Sequence, residues 1–379
     1  MAPISNLSLI FKRVPEGIPV PGIHLVMEDR PCYIQTAPQG GFVARNLYNS
    51  MDPYMRMMMI DPATEHYRAS FKLDQPVRSL AVAEVIASSH PHYPAGTIIR
   101  ASLPIAEYST VTAQDQCLTA STDTSGAVKV LPAPTGRLNL LPYWLGPLGM
   151  PGLTAFSSIY EIGRIKTSEV IFISAAAGAV GSMVGQICKL EGLRVIGSAG
   201  SDKKVDVLIH ELGFDGAFNY KRENVSAALS RLAPEGLDIY YDNVGGQTLE
   251  DALAHMRQDG RVVVCGMVSQ YSSTSARTTS QGSHGVKNLF QLVSRNLTMR
   301  GFQVGNEDFG RKYMARHEEQ VMKWVVEGHL KPVVSEMSGI RNGANAFVGM
   351  LNGESIGKAV LRICPEAGST ADSPFTRVA

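Results

Sequence analysis

The stretch Val170–Cys188 reads VIFISAAAGAVGSMVGQIC and carries no charge. Its length suits a membrane span, yet Gly178, Gly181 and Gly185 interrupt it and its hydrophobic period breaks in the middle. A buried strand (VIFIS), a glycine turn and a packed helix from about Ser182 to Glu191 account for it better, so a soluble chain is expected. Dinucleotide folds need a tight turn between strand and helix, a close backbone approach to pyrophosphate, and a small helix–strand contact. Gly178 and Gly181 fit the second and third needs, with Ala176 where the first glycine would stand. The N–H groups that open the helix would face the pyrophosphate.

Outward from this turn the order is regular. Gly192 stops the helix, and RVIGSA at 194–199 makes a second strand. Ser201 is placed to cap a helix over Asp202–Leu212, with Gly213 beyond its end. Further strands are expected at 216–219, 238–242, 261–266 and 297–302, mostly separated by helices of about ten residues. That alternation predicts a parallel, doubly wound sheet. The second strand also discriminates between dinucleotides. NAD-binding folds place an acid near its end, roughly 20 residues past the glycines, to hold the ribose 2′-OH. Here the strand ends Ser198-Ala199-Gly200-Ser201 with no acid, and Lys203 and Lys204 follow. An ammonium pair without a carboxylate suits a 2′-phosphate, so NADPH is expected over NADH. Asp202 runs against this unless it serves its helix N-terminus, and a lysine pair is also an ordinary solvated face.

The rest of the chain bounds the answer. At 379 residues, two domains are expected at roughly 150 residues each. With 44% hydrophobic residues, 18% charged and a net charge of +1, disorder and charge-driven binding of nucleic acid or membrane are excluded. The five cysteines, Cys32, Cys117, Cys188, Cys265 and Cys364, are scattered and never form C-x-x-C. They read as reduced thiols in a cytoplasmic protein, not as a zinc knuckle or disulfide frame. The apolar run before Lys12 is too short for a signal peptide. The first 140 residues carry alternating runs at 41–48, 80–87 and 107–112 between prolines, a β-rich module, and Pro132 and Pro134 suggest a linker. A Ser/Thr-rich loop lies between Gln270 and Gly285. Helices are expected at about 313–327 and 341–351 and a strand at 358–363, with a polar, disordered tail from 366.

The motifs together resemble the zinc-independent medium-chain dehydrogenases and reductases, and within them the alkenal/one double-bond reductases, a group that includes the prostaglandin reductases and leukotriene B4 12-hydroxydehydrogenase. Carrying the likeness are MDPYMR at 51–56, LGMPGLTA at 148–155, AAAGAVG at 175–181, FNYK at 218–221, YDNVGG at 241–246, CGMVSQY at 265–271 and GFQV at 301–304. The resemblance spans about residues 40–363. It implies a GroES-like β-rich catalytic domain at 1–145, a Rossmann domain at 146–312, and a segment at 313–365 that returns to the first domain. It implies cofactor contacts from Thr154 and from the turn Gly178, Ala179, Val180 and Gly181. Lys204 and Tyr220 fall at the 2′-phosphate, and Asn243, Cys265, Gly266, Phe302 and Val304 at the nicotinamide end. Tyr271 would stand beside both cofactor and substrate as a catalytic residue, with Tyr54, a second candidate catalytic residue, and Tyr67 lining the substrate opposite. A homodimer is implied as well. In one place the chain departs from the pattern: where the family has Asn in G-x-N-x-G-K, residues 353–358 read GESIGK, so Ser355 offers a shorter group without an amide.

Zinc-dependent relatives carry a G-H-E motif, but the corresponding stretch here reads AVAEV at 81–85, so no metal is expected. His90 and His92 sit in a proline-flanked turn and are expected at the surface. Without a Lewis acid, a localised alkoxide is hard to stabilise, whereas conjugate reduction spreads its charge into an enolate. A few placed hydrogen bonds hold such a charge, each worth about 2.7–4 kcal/mol at measured oxyanion sites. The expected activity is therefore NADPH-dependent reduction of the C=C bond of an enal or enone, with Tyr271 at the enolate oxygen. A zinc-free quinone or alcohol/ketone oxidoreductase, an enoyl reductase of specialised metabolism, and a non-catalytic NADPH sensor are the competing readings. Met55–Met59 either shapes the pocket or fills the core.

Overall fold

A computed structural model describes residues 2–61, 63, 69–119, 126–132, 140–272, 284–363 and 375–378. It divides into two compact units, Met1–Leu145 with Val334–Ala379, and Gly146–Val333. In chain order the first segment supplies β1 (Leu7–Phe11), β2 (Leu25–Asp29), β3 (Phe42–Ser50), α1 (Tyr54–Met57), β4 (Gln75–Pro76), β5 (Arg78–Ser88), β6 (Ile98–Pro104), β7 (Tyr108–Val111), α2 (Gln116–Thr119) and β8 (Lys129–Val130). The second unit contains α3 (Met150–Ser158), β9 (Val170–Ile173), α4 (Gly181–Leu190), β10 (Arg194–Ala199), α5 (Asp202–Asp206), β11 (Gly216–Asn219), α6 (Val225–Leu232), β12 (Leu237–Asp242), α7 (Gly246–Ala254), β13 (Met256–Val264), α8 (Gln291–Ser294), β14 (Thr298–Gly301) and α9 (Lys312–Val326). The returning segment adds β15 (Val334–Ser338), α10 (Gly343–Leu351), β16 (Lys358–Arg362) and β17 (Thr376–Val378).

In the first unit the returning strands complete a sheet ordered β17-β15-β16-β3-β5-β6-β8, with β7 beside β3, while β2-β1-β4 form a smaller sheet. One core gathers Phe42, Ala44, Ala81, Val85, Ile99 and Val111. Another gathers Leu9, Phe11, Met51, Met55, Met59 and Phe347. Met55 and Met59 are each 1% exposed, so these two methionines fill core rather than line a pocket.

The second unit is a six-stranded parallel sheet, ordered β11-β10-β9-β12-β13-β14. All four residues of β9 are buried, as expected for a strand covered on both faces. The order reverses between β9 and β12, and ligands of such sheets bind outside the carboxyl ends at that point. Helix α4 lies close to the sheet because Gly185 and Gly197 admit the Phe214 ring: a Cβ on Gly185 would stand 2.0 Å from its Cζ. The stretch 170–188 thus resolves into β9, the glycine turn and α4, and among the described residues no helix is long and apolar enough to cross a membrane.

Some expectations need correction. The chain returns to the first unit at Val334, later than position 313, because α9 packs within the second unit, where buried His317 bonds the Pro147 carbonyl at 2.9 Å. The helix after Ser201 turns from α to π at Val207, and the strand expected at 261–266 begins at Met256. The tail is not wholly unstructured: Thr376–Val378 pairs antiparallel with β15. Tyr67, Cys364, most of the linker around Pro134 and most of the loop after Tyr271 lie outside the described residues.

Candidate active site

At the β9–α4 turn, packing decides the sequence. Ala175 takes a left-handed φ of +47°, unusual for a residue with a side chain, and this bends the chain off the strand. The Gly178 amide then donates to the Ala175 carbonyl at 3.0 Å. A Cβ on Gly181 would stand 2.6 Å from the Ala175 oxygen and 2.8 Å from Ala176 Cα, so only glycine lets α4 start there. Ala179 and Val180 therefore lead into α4 at Gly181, right at the strand end, and the backbone amides that open a helix are ready donors for an anion.

At the far end of β10 the cations gather. Ser201 caps α5 by accepting from the Lys204 amide. The Lys204 side chain is half-buried, and burial followed by the nearby Lys221 charge lowers its pKa. A half-buried ammonium with a second, exposed one near enough to repel it gains from an anion. The Tyr220 hydroxyl lies 3.0 Å from where a Gly200 Cβ would be, so the phenol covers the strand end, and Tyr220 is 49% exposed.

At the switch point, Ser174 follows β9 and Asn243 follows β12. The Ser174 hydroxyl accepts from the Asn243 amide at 3.0 Å, and the Ser174 carbonyl accepts from Asn243 Nδ2 at 2.8 Å. One residue thereby fixes Asn243 at both its backbone and its side chain. Beneath it, buried Tyr240 donates to Asp242 Oδ1 at 2.7 Å, an oxygen that also accepts from Val244 and Gly245. Burial raises the Asp242 pKa against those bonds. Burial also pushes the Cys265 thiol up to about 12, with Tyr241 as its hydrogen-bond partner. Tyr241 in turn shares a 2.7 Å hydrogen bond with Ser158. Cys265 is thus a protonated, neutral wall at neutral pH.

After Cys265 the chain makes a short 3-10 turn at Val268–Gln270 that returns Tyr271 over Gly266. The Met267 amide donates to the Tyr271 oxygen at 3.2 Å, and a Cβ on Gly266 would sit 2.8 Å from that oxygen. A phenol that accepts a hydrogen bond becomes a better donor. Phe302 stacks on Phe309 at 4.7 Å, and Val304 is buried beneath, just after edge strand β14. Thr154 is buried in α3, its hydroxyl donating to the Met150 carbonyl at 2.7 Å.

Tyr54 and Ser355 belong to the first unit. Tyr54 opens α1, whose approach is fastened by buried Lys358, donating to the Met51 carbonyl at 2.7 Å and Asp52 Oδ1 at 2.6 Å. Ser50 supplies a further hydrogen bond to the same carboxylate. Arg56 extends from α1 to the Pro15 and Gly17 carbonyls. Ser355 is 7% exposed in the loop before β16. Sequence reading singles out neither Ser174 nor the Asp52–Lys358 pair. The pair's members stand 306 positions apart and only the folded sheet joins them; Ser174 is readable only as the last residue of its strand.

The glycine turn and the paired lysines fit a dinucleotide with an added phosphate: the turn leaves a cradle that a side chain would fill, and the lysines are the donors a 2′-phosphate needs. Among the described residues no group of three or more His, Cys, Asp or Glu side chains is placed to hold a metal ion. Comparison with known proteins agrees with this architecture. Residues 179–319 match the family model described as zinc-binding dehydrogenase, and residues 8–118 match the N-terminal domain of oxidoreductase. The chain is 45% identical to NADP-dependent oxidoreductase RED1 of Cochliobolus heterostrophus over 94% of this chain and 97% of the relative. It is 37% identical to the NADP(+)-dependent 2-alkenal reductase of Nicotiana tabacum over 96% of this chain and 99% of that one. Among solved structures, CurA of Vibrio vulnificus in complex with NADPH aligns with a TM-score of 0.82 at 27% identity, over 95% of this chain and 100% of CurA.

Proposed function

The chain belongs to the medium-chain dehydrogenases and reductases, in the zinc-independent, alkenal-reductase type, and is an NADP-dependent oxidoreductase; from that premise we propose that it reduces the C=C bond of α,β-unsaturated aldehydes and ketones. The observation that carries the reading is the Tyr271 turn, where the Met267 amide polarises the phenol. When bound, the cofactor supplies a hydride to the substrate's β-carbon. Tyr271 donates a hydrogen bond to the carbonyl oxygen as it takes on enolate charge, and solvent or a tyrosine protonates the α-carbon. Asn243, held by Ser174, and the neutral Cys265 thiol shape the nicotinamide end, with Gly266, Phe302 and Val304. Gly178, Ala179, Val180 and Gly181 take the pyrophosphate, with Thr154 behind them. Lys204 and Tyr220 take the 2′-phosphate. Tyr54 forms substrate wall and Ser355 a cofactor contact in place of an asparagine.

The reading includes a homodimer and a cytosolic setting. The first is supported by exposed apolar side chains, Phe290 and Val293 at 74% each, just ahead of β14, the end strand of its sheet among the described residues. The second is supported by the free thiols of Cys32, Cys117, Cys188 and Cys265. An NADPH-consumption screen over enals, enones, quinones and simple ketones, with product identification, tests the activity. Saturated carbonyl products are expected. Turnover confined to quinones or simple ketones would replace the reading with a quinone or carbonyl reductase, and NADPH binding without turnover would leave a sensor.

A further inference from the structure

Asp202 is the one feature of the adenosine end that argues for NADH, since a carboxylate just past β10 is what a ribose 2′-OH would use. The fold occupies it. Strands β10 and β11 run parallel with Ala199 opposite Asn219, which brings the first residues of α5 beside the turn after β11. The Asn219 side-chain oxygen accepts from the Lys221 amide at 3.1 Å, so its Nδ2 points the other way and donates to Asp202 Oδ1 at 2.8 Å. The Asn219 carbonyl accepts from the Arg222 amide at 2.9 Å, closing the turn. Arg222 Nη1 then meets Asp202 Oδ2 at 2.5 Å. Both carboxylate oxygens are therefore taken, one by an amide and one by a guanidinium. The same turn sends Lys221 toward Lys204, whose charge it raises in energy.

We infer that Arg222 is a specificity determinant for the cofactor: it offsets the charge of Asp202, whose carboxylate Asn219 holds in place, so that the end of β10 presents net positive charge to the adenosine ribose and selects a 2′-phosphate over a 2′-OH. The inference rests on the assignment of Lys204 and Tyr220 to the adenosine phosphate. Arg222 and Asp202 are 75% and 52% exposed, so solvent screens the pair and it adds little to stability. Its effect is on the ligand. A freed carboxylate near a phosphate costs NADPH about five- to tenfold in affinity at low salt. NADH, lacking that phosphate, loses nothing.

The test is a fluorescence titration of the full-length chain with NADPH and with NADH, without substrate, for wild type, Arg222→Ala, Asp202→Asn and the double variant. Arg222→Ala is expected to weaken NADPH about five- to tenfold and leave NADH within about twofold. The double variant is expected to return NADPH to near the wild-type value, and added salt to shrink the Arg222→Ala effect. NADH binding reports that each variant is folded. An Arg222→Ala loss that persists in the Asp202→Asn background would overturn the inference, because Arg222 would then act on the phosphate directly. An unchanged NADPH-to-NADH ratio in Arg222→Ala would overturn it too. Wild-type protein with no preference for NADPH would instead remove the premise about Lys204 and Tyr220, and the inference with it. Failure of the enone assay alone would leave all these titrations standing.

Discussion

Two turns at the carboxyl edge of the same sheet are built on opposite principles. The turn from Ala175 to Gly181 is fixed by missing side chains: a Cβ at Gly181 would collide with backbone at 2.6 Å, and the cradle exists because nothing fills it. The turn from Cys265 to Tyr271 also needs a glycine, Gly266 under the phenol, but its donor is set by hydrogen bonds, from the Met267 amide to the phenol and from Ser269 to the Val244 carbonyl. Steric turns bind whatever fits and do no chemistry. Polar turns hold a donor whose strength depends on its partners. The contrast separates cofactor grip from substrate activation, so variants in the two turns should fail in different assays.

The largest effect is expected from Tyr271→Phe, which keeps the ring and removes the donor. Single-turnover NADPH oxidation with an enone should slow by about 10²–10³, with NADPH affinity nearly unchanged. A normal rate would remove Tyr271 from the chemistry. Next comes Gly181→Ala, whose methyl must displace backbone. Overpacking of about 1–3 kcal/mol should weaken NADPH roughly 5- to 150-fold in a fluorescence titration and lower the melting temperature. Should that variant bind normally, the steric account of the first turn fails. Ser174→Ala follows, at the seam of the two turns, because it leaves the Asn243 amide without its acceptor, while the Tyr240 hydroxyl keeps Asp242 Oδ1. Denaturant unfolding should show a loss of about 1–3 kcal/mol, with weaker NADPH and NADH binding alike.

The smallest effect is in pH. Burial and Lys221 hold the Lys204 pKa below its ordinary 10.5, and a bound phosphate raises it again. The bound state therefore holds the proton more tightly, so NADPH affinity is fully present below the lowered pKa and falls as pH rises through it toward 10.5. NADH affinity over the same alkaline range should stay flat. Parallel curves would place the phosphate elsewhere.

The same division explains what could be read from sequence. The glycine turn, the alternation of strands and helices after it, and the strand at 216–219 are local patterns, visible because period and glycine spacing record packing directly. The point of return to the first unit is not legible, because α9 shows only an amphipathic period, and that cannot say which surface its apolar face meets. Asp202 reads as a helix-start acid and does open α5, but its partners Asn219 and Arg222 lie across a parallel register that only the sheet supplies. Tyr271 was legible through family resemblance as a residue. Its hydrogen bond from Met267 was not, because it depends on the shape of a 3-10 turn.

Conjugate reduction is defined by the carbon that receives the hydride. Reduction of an α,β-unsaturated ketone with NADPH deuterated at the transferring C4 position, followed by mass and NMR analysis of the product, reads that directly. A saturated ketone with deuterium on the former β-carbon is expected; deuterium on a carbinol carbon, with the double bond intact, would mean direct carbonyl reduction instead.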